Sequence, residues 1–189
     1  MLTSQISIEN EVTVRNLLAA FEGESNAHAK YSAFAVKADG EGLHGAASLF
    51  RAAARAEQIH ADYHARVIRK LGGEPAATIH PAHAKSTMEN LNEARASERY
   101  EIDSMYPEFV REAKGHNNTA AVRSFECALA AEKTHARLFS EAIAVLDSGW
   151  LLAARNFYVC AVCGYTSETP EAERCPNCNL EWEKFEVVR

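Results

Sequence analysis

The sequence has no surplus of positive charge: Asp and Glu outnumber Lys and Arg by 26 to 20, for a formal net charge of −6 at pH 7. So acidic a balance offers no electrostatic footprint for a phosphate backbone, and nucleic acid is excluded as an expected partner. Long apolar runs are missing too. No stretch approaches the roughly 20 residues needed to cross a bilayer, so no membrane span is expected. Residues 1–10 lack a basic segment followed by an apolar one, which excludes a recognisable secretion signal and makes the cytoplasm the expected location. Cysteine is sparse, at five in 189 residues. Four of the five fall in two CxxC pairs near the C-terminus, a pattern that reads as metal binding rather than a disulfide framework. Cys127 stands alone in a helical pattern and reads as core filling.

What is present is helical periodicity. Helical patterns cover about 10–38, 41–71, 87–114 and 118–147. Gly72-Gly73 gives a strong stop, and Ser148-Gly149 closes the last helix. Pro75 and Pro81 exclude helix from the connection at 73–86, and Pro107 predicts a kink or irregular turn within the third helix. Two short turns and one long crossover describe the ferritin-like version of a four-helix bundle. Beyond Gly149, strand-like pieces such as Asn156-Phe157-Tyr158-Val159 and Phe185-Glu186-Val187-Val188 flank the cysteines. The expected division is 1–149 for the bundle and 150–189 for a small β domain. About 40 residues build little core, so this tail needs a metal to fold.

Residues three, four and seven apart share a helix face. Each helix carries acids in the middle of an otherwise apolar stripe: Glu24 in the first, Glu57 with His60 in the second, Glu98 with Glu101 in the third, Glu132 with His135 in the fourth. A buried unpaired carboxylate costs several kcal/mol, so five together in a core demand cations. Two divalent ions nearly balance five carboxylates and two neutral imidazoles. Mixed oxygen and nitrogen donors suit iron or manganese, with zinc as an impostor. His64 and His28, one turn from His60 and Glu24, could support the cage ligands from behind, but read first as structural or exposed positions. His44, His80, His83 and His116 receive no role.

Cys160, Cys163, Cys175 and Cys178 make a tetrahedral thiolate site suited to iron or zinc. Cys163-Gly164-Tyr165 and Cys175-Pro176-Asn177-Cys178, with Tyr158 and Trp182, resemble rubredoxin and favour iron, with zinc as a possible substitute.

A lone Glu, an ExxH and a second ExxH match the ligand pattern of ferritin-like di-iron proteins. With Gly23-Glu24-Ser25, Tyr31, Glu98-Arg99-Tyr100-Glu101 and Met105-Tyr106-Pro107, and with the thiolate tail, nearly the whole chain resembles the rubrerythrins. The resemblance implies an all-α ferritin-like four-helix bundle with a small C-terminal rubredoxin-like metal-binding β domain. It also implies that Glu57 and Glu132 bridge two irons. Glu24 and Glu101 then belong to one iron, Glu98 and His135 to the other. The first iron would take Glu101 when ferric and His60 when ferrous, with Tyr31 and Tyr106 as nearby hydrogen-bond donors.

The activity so implied is reduction of hydrogen peroxide to water, as a defence against oxidative stress. Electrons would come from an NAD(P)H-dependent reductase or a rubredoxin through the Fe(Cys)4 centre. Family members are homodimers or larger, the thiolate centre of one subunit lying near the di-iron site of another. The alternatives are a ferroxidase or iron-storage protein, and a zinc-bound module without catalysis.

Overall fold

A computed structural model describes residues 10–146, 149, 151–169 and 173–189. The segment read for a secretion signal falls almost wholly outside these residues, as do Ser148 at the expected helix stop and residue 150 at the expected domain boundary. The helices are α1 (Glu11–Gly40), α2 (His44–Lys70), α3 (Thr87–Tyr100), α4 (Tyr106–Gly115) and α5 (Thr119–Ala144). The second helix thus starts three residues later than its pattern suggests. α5 stops at Ala144, with Val145 and Leu146 in a closing turn.

α3 and α4 are one rod interrupted by a π-helical turn at Glu101–Met105. Pro107, placed in the first turn of α4, has no N–H to bond back one α-turn. The backbone absorbs this by widening, so that the Tyr106 N–H donates to the Glu101 carbonyl five residues earlier. The expected kink is therefore a change of helical register, and Glu101 stands at its start. The start of α3 is secured by a capping box in which Ser86 and Glu89 satisfy each other's backbone N–H.

The apolar stripes of the helices sort into two clusters stacked along the bundle. Tyr31, Phe34, Phe50, Leu91 and Phe139 belong to one, while Leu17, Ile68, Tyr106 and Phe125 belong to the other. In the first cluster Tyr31 packs edge-on against Phe139, with ring centroids 5.6 Å apart. Tracing each helix through both clusters gives its direction. α1 and α5 run one way, α2 and the α3–α4 rod the other. Because α2 and α3 are parallel, their connection must return the length of the bundle, about 40 Å for a 27-residue helix. The segment 71–86 does so as extended chain without regular structure. It is pinned to α1: Glu22 accepts from the Thr78 N–H at 3.0 Å and Asn26 Oδ1 from the His80 N–H at 2.8 Å.

The tail forms a three-stranded antiparallel sheet, β1 (Phe157–Cys160), β2 (Thr166–Ser167) and β3 (Phe185–Val188), in the order β2-β1-β3. Val159 pairs with Thr166 on one side and Glu186 on the other. Strand alternation sends Phe157 and Val159 to the same face, where both are fully buried and join the cluster of Phe50 and Phe139. Leu151 is buried there as well, and its carbonyl accepts the Gly45 N–H at 2.7 Å. The tail thus packs its apolar face onto the flank of α2, and Arg55 locks β3 through a bidentate pair with Glu186, at 2.6 and 2.7 Å.

Candidate metal centre

Between the two apolar clusters lies a layer of ionisable side chains, all of them buried: Glu24, Glu57, His60, Glu98, Glu132 and His135. They form two overlapping four-donor groups. One joins Glu24, Glu57, His60 and Glu132; the other joins Glu57, Glu98, Glu132 and His135. Within each group the donor atoms lie inside 4.8 Å of one another. Glu57 and Glu132 are common to both, as a pair of bridging carboxylates requires.

Four carboxylate oxygens, one each from Glu24, Glu57, Glu98 and Glu132, are buried without a hydrogen-bond partner. Such atoms are costly unless a cation faces them. Their second oxygens are held. Tyr31 donates to Glu98 Oε1 at 2.6 Å, and the Tyr106 phenol donates to Glu24 Oε1.

Both histidines turn Nδ1 inward. His60 Nδ1 lies 3.0 Å from Glu57 and 2.9 Å from Glu132, and His135 Nδ1 lies 2.7 Å from Glu132. Their outward Nε2 atoms meet acceptors, Cys163 O at 3.1 Å for His60 and Thr166 Oγ1 at 3.1 Å for His135. Nε2 must then carry the hydrogen, which leaves the Nδ1 lone pair for a metal.

Electrostatics give the same answer. Burial alone would depress the His60 pKa, yet Glu132 and Glu57 push it up to about 10. His135 is raised in the same way, chiefly by Glu132. Burial, then the field of Glu57 and Glu132, pushes the carboxyls of Glu24 and Glu98 well above their usual range. Without metal the site gathers protons where a loaded site would hold cations. The donor set fits two hard or borderline divalent ions.

Glu101 belongs to neither four-donor group. It is half-buried, and its carboxyl is pushed up by burial, then by Glu24 and Glu132. It lines a solvent-open cavity of about 600 Å³ together with Gly23, Ala27, Lys30 and, from the crossover segment, His80 and His83.

The four cysteine sulfurs also converge within 4.8 Å. Cys160 and Cys178 sulfurs are 3.4 Å apart, and those of Cys163 and Cys175 3.6 Å. A tetrahedral ion with bonds of about 2.3 Å sets sulfurs roughly 3.8 Å apart, so the knuckle closes around one metal with little movement. The family resemblance implied that the knuckle of one subunit reaches the cage of another. Here the chain brings its own knuckle to its own cage, through the His60–Cys163 and His135–Thr166 contacts.

Three neighbours complete the surroundings of the site, and one of them, Thr166, sequence reasoning missed. His64 is fully buried, its Nδ1 2.8 Å from Ser124 Oγ and its Nε2 3.1 Å from the Tyr106 hydroxyl. Since that phenol gives its proton to Glu24, His64 Nε2 must donate to the phenol oxygen and Nδ1 must accept from Ser124. Burial holds the ring neutral, its pKa lowered to about 3. The one-turn spacing from His60 was the available signal. Thr166 carried none, because it meets His135 only through tertiary packing. Cys127 borders the knuckle, its carbonyl accepting from Asn177 Nδ2 at 2.9 Å. His28 has the structural role expected, with Nδ1 2.7 Å from the Ala54 carbonyl.

Comparison with known proteins matches this architecture. The rubrerythrin family model covers residues 15–143. Rubrerythrin-2 of Clostridium acetobutylicum is 31% identical over 183 residues, spanning 96% of this chain and 100% of the relative. Nigerythrin of Nitratidesulfovibrio vulgaris is 36% identical over 167 residues, spanning 88% of this chain and 81% of the relative. The fully reduced, all-ferrous structure of nigerythrin superposes with a TM-score of 0.85 at 36% identity, over 93% of this chain and 86% of that one. A Desulfovibrio desulfuricans bacterioferritin shares the fold, with a TM-score of 0.70 at 20% identity over 74% of this chain and 82% of that one. With the family model covering the bundle and its doubled ExxH cage, and with a relative 31% identical across 96% of the chain, the chain belongs to the rubrerythrin family.

Proposed function

We propose that the protein is a non-haem di-iron peroxidase of the rubrerythrin type, reducing hydrogen peroxide to water in defence against oxidative stress. Its electrons are relayed through an Fe(Cys)4 centre. One observation carries the reading: a carboxylate–histidine cage and a four-thiolate knuckle lie in direct contact, with one hydrogen bond, His60 Nε2 to Cys163 O at 3.1 Å, joining a cage imidazole to a knuckle cysteine. Storage of iron has no use for such a junction, whereas a two-electron reaction fed by one-electron deliveries needs it.

Glu24, Glu57, His60 and Glu132 would hold one iron, and Glu57, Glu98, Glu132 and His135 the other, with one iron in the four thiolates. The iron pair supplies Lewis acidity and two electrons at once. The chain supplies the rest. Tyr31 and Tyr106 each commit a proton to a terminal carboxylate and so fix which oxygen faces inward. Peroxide enters by the cavity that reaches Glu101, and Lys30 and the two loop histidines keep that approach polar. Glu101, outside both donor groups and at the mouth of a widened helical turn, is free to move in when the charge of the cage rises. The turn matters because π-type turns relax the axial spacing that would otherwise lock a side chain. The apolar clusters above and below keep bulk water from the cage.

The electron source in this reading is an NAD(P)H-dependent reductase or a rubredoxin, meeting the tail where Cys178 is half-exposed. A homodimer or larger assembly in the cytoplasm is the setting taken from the family. No described helix is long and apolar enough to cross a membrane.

The test is to reduce the iron-loaded protein without air and mix it separately with hydrogen peroxide and with dioxygen, following the red absorption of the ferric thiolate centre. Faster return of colour with peroxide is expected. A faster response to dioxygen with iron accumulating would favour a ferroxidase, and a colourless protein would leave a zinc-bound module.

A further inference from the structure

We infer that the loop 163–166 is the positioning shell of both cage histidines, so that the metal in the thiolate knuckle sets how tightly the cage holds its own ions. The inference rests on the two metal sites of the reading above but does not need the peroxidase activity.

Four contacts carry it. Cys163 O takes the His60 Nε2–H at 3.1 Å. Thr166 Oγ1 lies 3.1 Å from His135 Nε2, and Gly164 O lies 3.4 Å from the same atom. The Thr166 hydroxyl gives its own hydrogen to Gly164 O at 2.9 Å, so its oxygen faces His135 only as an acceptor. Gly164 has φ +72°, and a Cβ there would strike the His60 ring, 3.0 Å from Cδ2 and in closer conflict with Nε2. The loop therefore lies flush on one imidazole and bonds to both. Its two carbonyls and one hydroxyl fix the tautomer that frees each Nδ1.

The same loop is shaped by the thiolate site. Gly164 N–H bonds to Cys160 O at 3.0 Å and Cys160 N–H to Tyr165 O at 2.9 Å, closing a turn over the first CxxC pair. The second CxxC pair is tied to this turn across the sulfurs, Cys163 to Cys175 at 3.6 Å. A tail with so few residues depends on its metal for order. When the knuckle is empty, both imidazoles lose the acceptors that hold their rings. Loss of such outer partners weakens metal binding by about 10- to 100-fold. Linkage makes the effect mutual, so a filled cage also tightens the knuckle.

The experiment uses the full-length protein stripped of metal. One equivalent of zinc fills the knuckle, and ferrous iron is then titrated into the cage without air. The same titration follows for a Cys175→Ser, Cys178→Ser variant, whose changes lie outside the loop. The cage affinity is expected to fall at least tenfold in the variant, and equal affinities would overturn the inference. Because those substitutions remove the tail's staple outright, Thr166→Val tests the contact alone with all four thiolates kept. Its knuckle should still turn red with ferric iron while cage affinity drops about tenfold, with Thr166→Ser restoring it. Native affinity in Thr166→Val would refute the positioning role. Coupled binding in a protein that turns over no peroxide would support this inference and overturn only the peroxidase reading.

Discussion

Filling the cage should expel protons, and the structure says how many. In the metal-free chain His60 is pushed up to about 10 by Glu132 and Glu57, against the opposing effect of burial. His135 is raised well above the ordinary imidazole value for the same reason. Both rings are imidazolium near neutrality, and both must surrender the Nδ1 proton to become ligands. Glu24 and Glu98 are held protonated to higher pH than usual by burial, then by the charges of Glu57 and Glu132. Glu132 itself stays ionised because the two imidazolium rings outweigh its burial. Loading at pH 7 should therefore release at least two protons, with Glu24 and Glu98 adding theirs wherever the pH leaves them protonated.

The magnitude is large, since each proton displaced changes the binding free energy by about 1.4 kcal/mol per pH unit. With two protons the cage should bind ferrous iron about 10⁴-fold more tightly at pH 8 than at pH 6. The metal-free fold runs the opposite way. A base whose folded pKa is raised stabilises the fold fully below its unfolded value of about 6.5. That stability is lost as the pH climbs through about 10, on the order of a few kcal/mol for His60. The assay is a ferrous titration in weakly buffered solution with an indicator dye, after zinc has occupied the knuckle so that thiol protons are not counted. Release of fewer than two protons per filled cage, or an affinity flat between pH 6 and 8, would refute the reasoning.

Other perturbations separate the roles of neighbouring residues. Glu101→Ala should leave both irons bound, because both donor groups are complete without it, yet slow the peroxide cycle. An unchanged rate would argue against its entry during turnover. His64→Leu removes the N–H that steadies Tyr106 against Glu24, and should weaken cage binding about tenfold, with His64→Gln partly restoring it. Equal affinities in the Leu variant and the native chain would reduce His64 to packing. Gly23→Phe fills open space on the cavity wall, where an added Cβ meets nothing within 4 Å. It should raise KM for peroxide while metal content stays full and helix stability gains roughly 0.5 kcal/mol. An unaltered KM would place the entrance elsewhere.

The cage was legible in the sequence because helical periodicity reports what a helix presents on one face. Glu24, Glu57, Glu98 and Glu132 interrupt apolar stripes, and a carboxylate in a core has few explanations besides a cation. The four-helix layout followed from the same stripes and from the single long connection. Periodicity is silent about contacts between elements that are distant in sequence. Thr166 is an unremarkable strand residue until β2 is laid beside α5, and Cys163 O is a backbone atom that no side-chain pattern records. Glu101 shows a subtler limit. Its ExxE spacing with Glu98 assumes a continuous α-helix, and the π-turn that Pro107 accommodates begins at Glu101 itself.

The junction between knuckle and cage explains why two metal sites with opposed donor preferences share so short a chain. Thiolates select a soft or borderline ion and carboxylates a harder one, so each site can fill without robbing the other. Yet the imidazoles stand between them, each with one nitrogen for the cage and the other bound to the knuckle loop. In the proposed relay an electron passing from thiolate to cage would cross the Cys163 carbonyl and the His60 ring, the same atoms that fix the imidazole's orientation. Geometry for binding and geometry for transfer are therefore one property. A substitution that loosens the loop without touching a ligand should lower cage affinity and slow reoxidation of the knuckle together. Thr166→Val is the variant that poses this sharply, because it acts through His135 and leaves the His60 path intact. If its knuckle still reoxidises at the native rate while its cage binds iron more weakly, binding and transfer are separable and the single-property argument fails. If both fall together, the loop acts as a single rigid body.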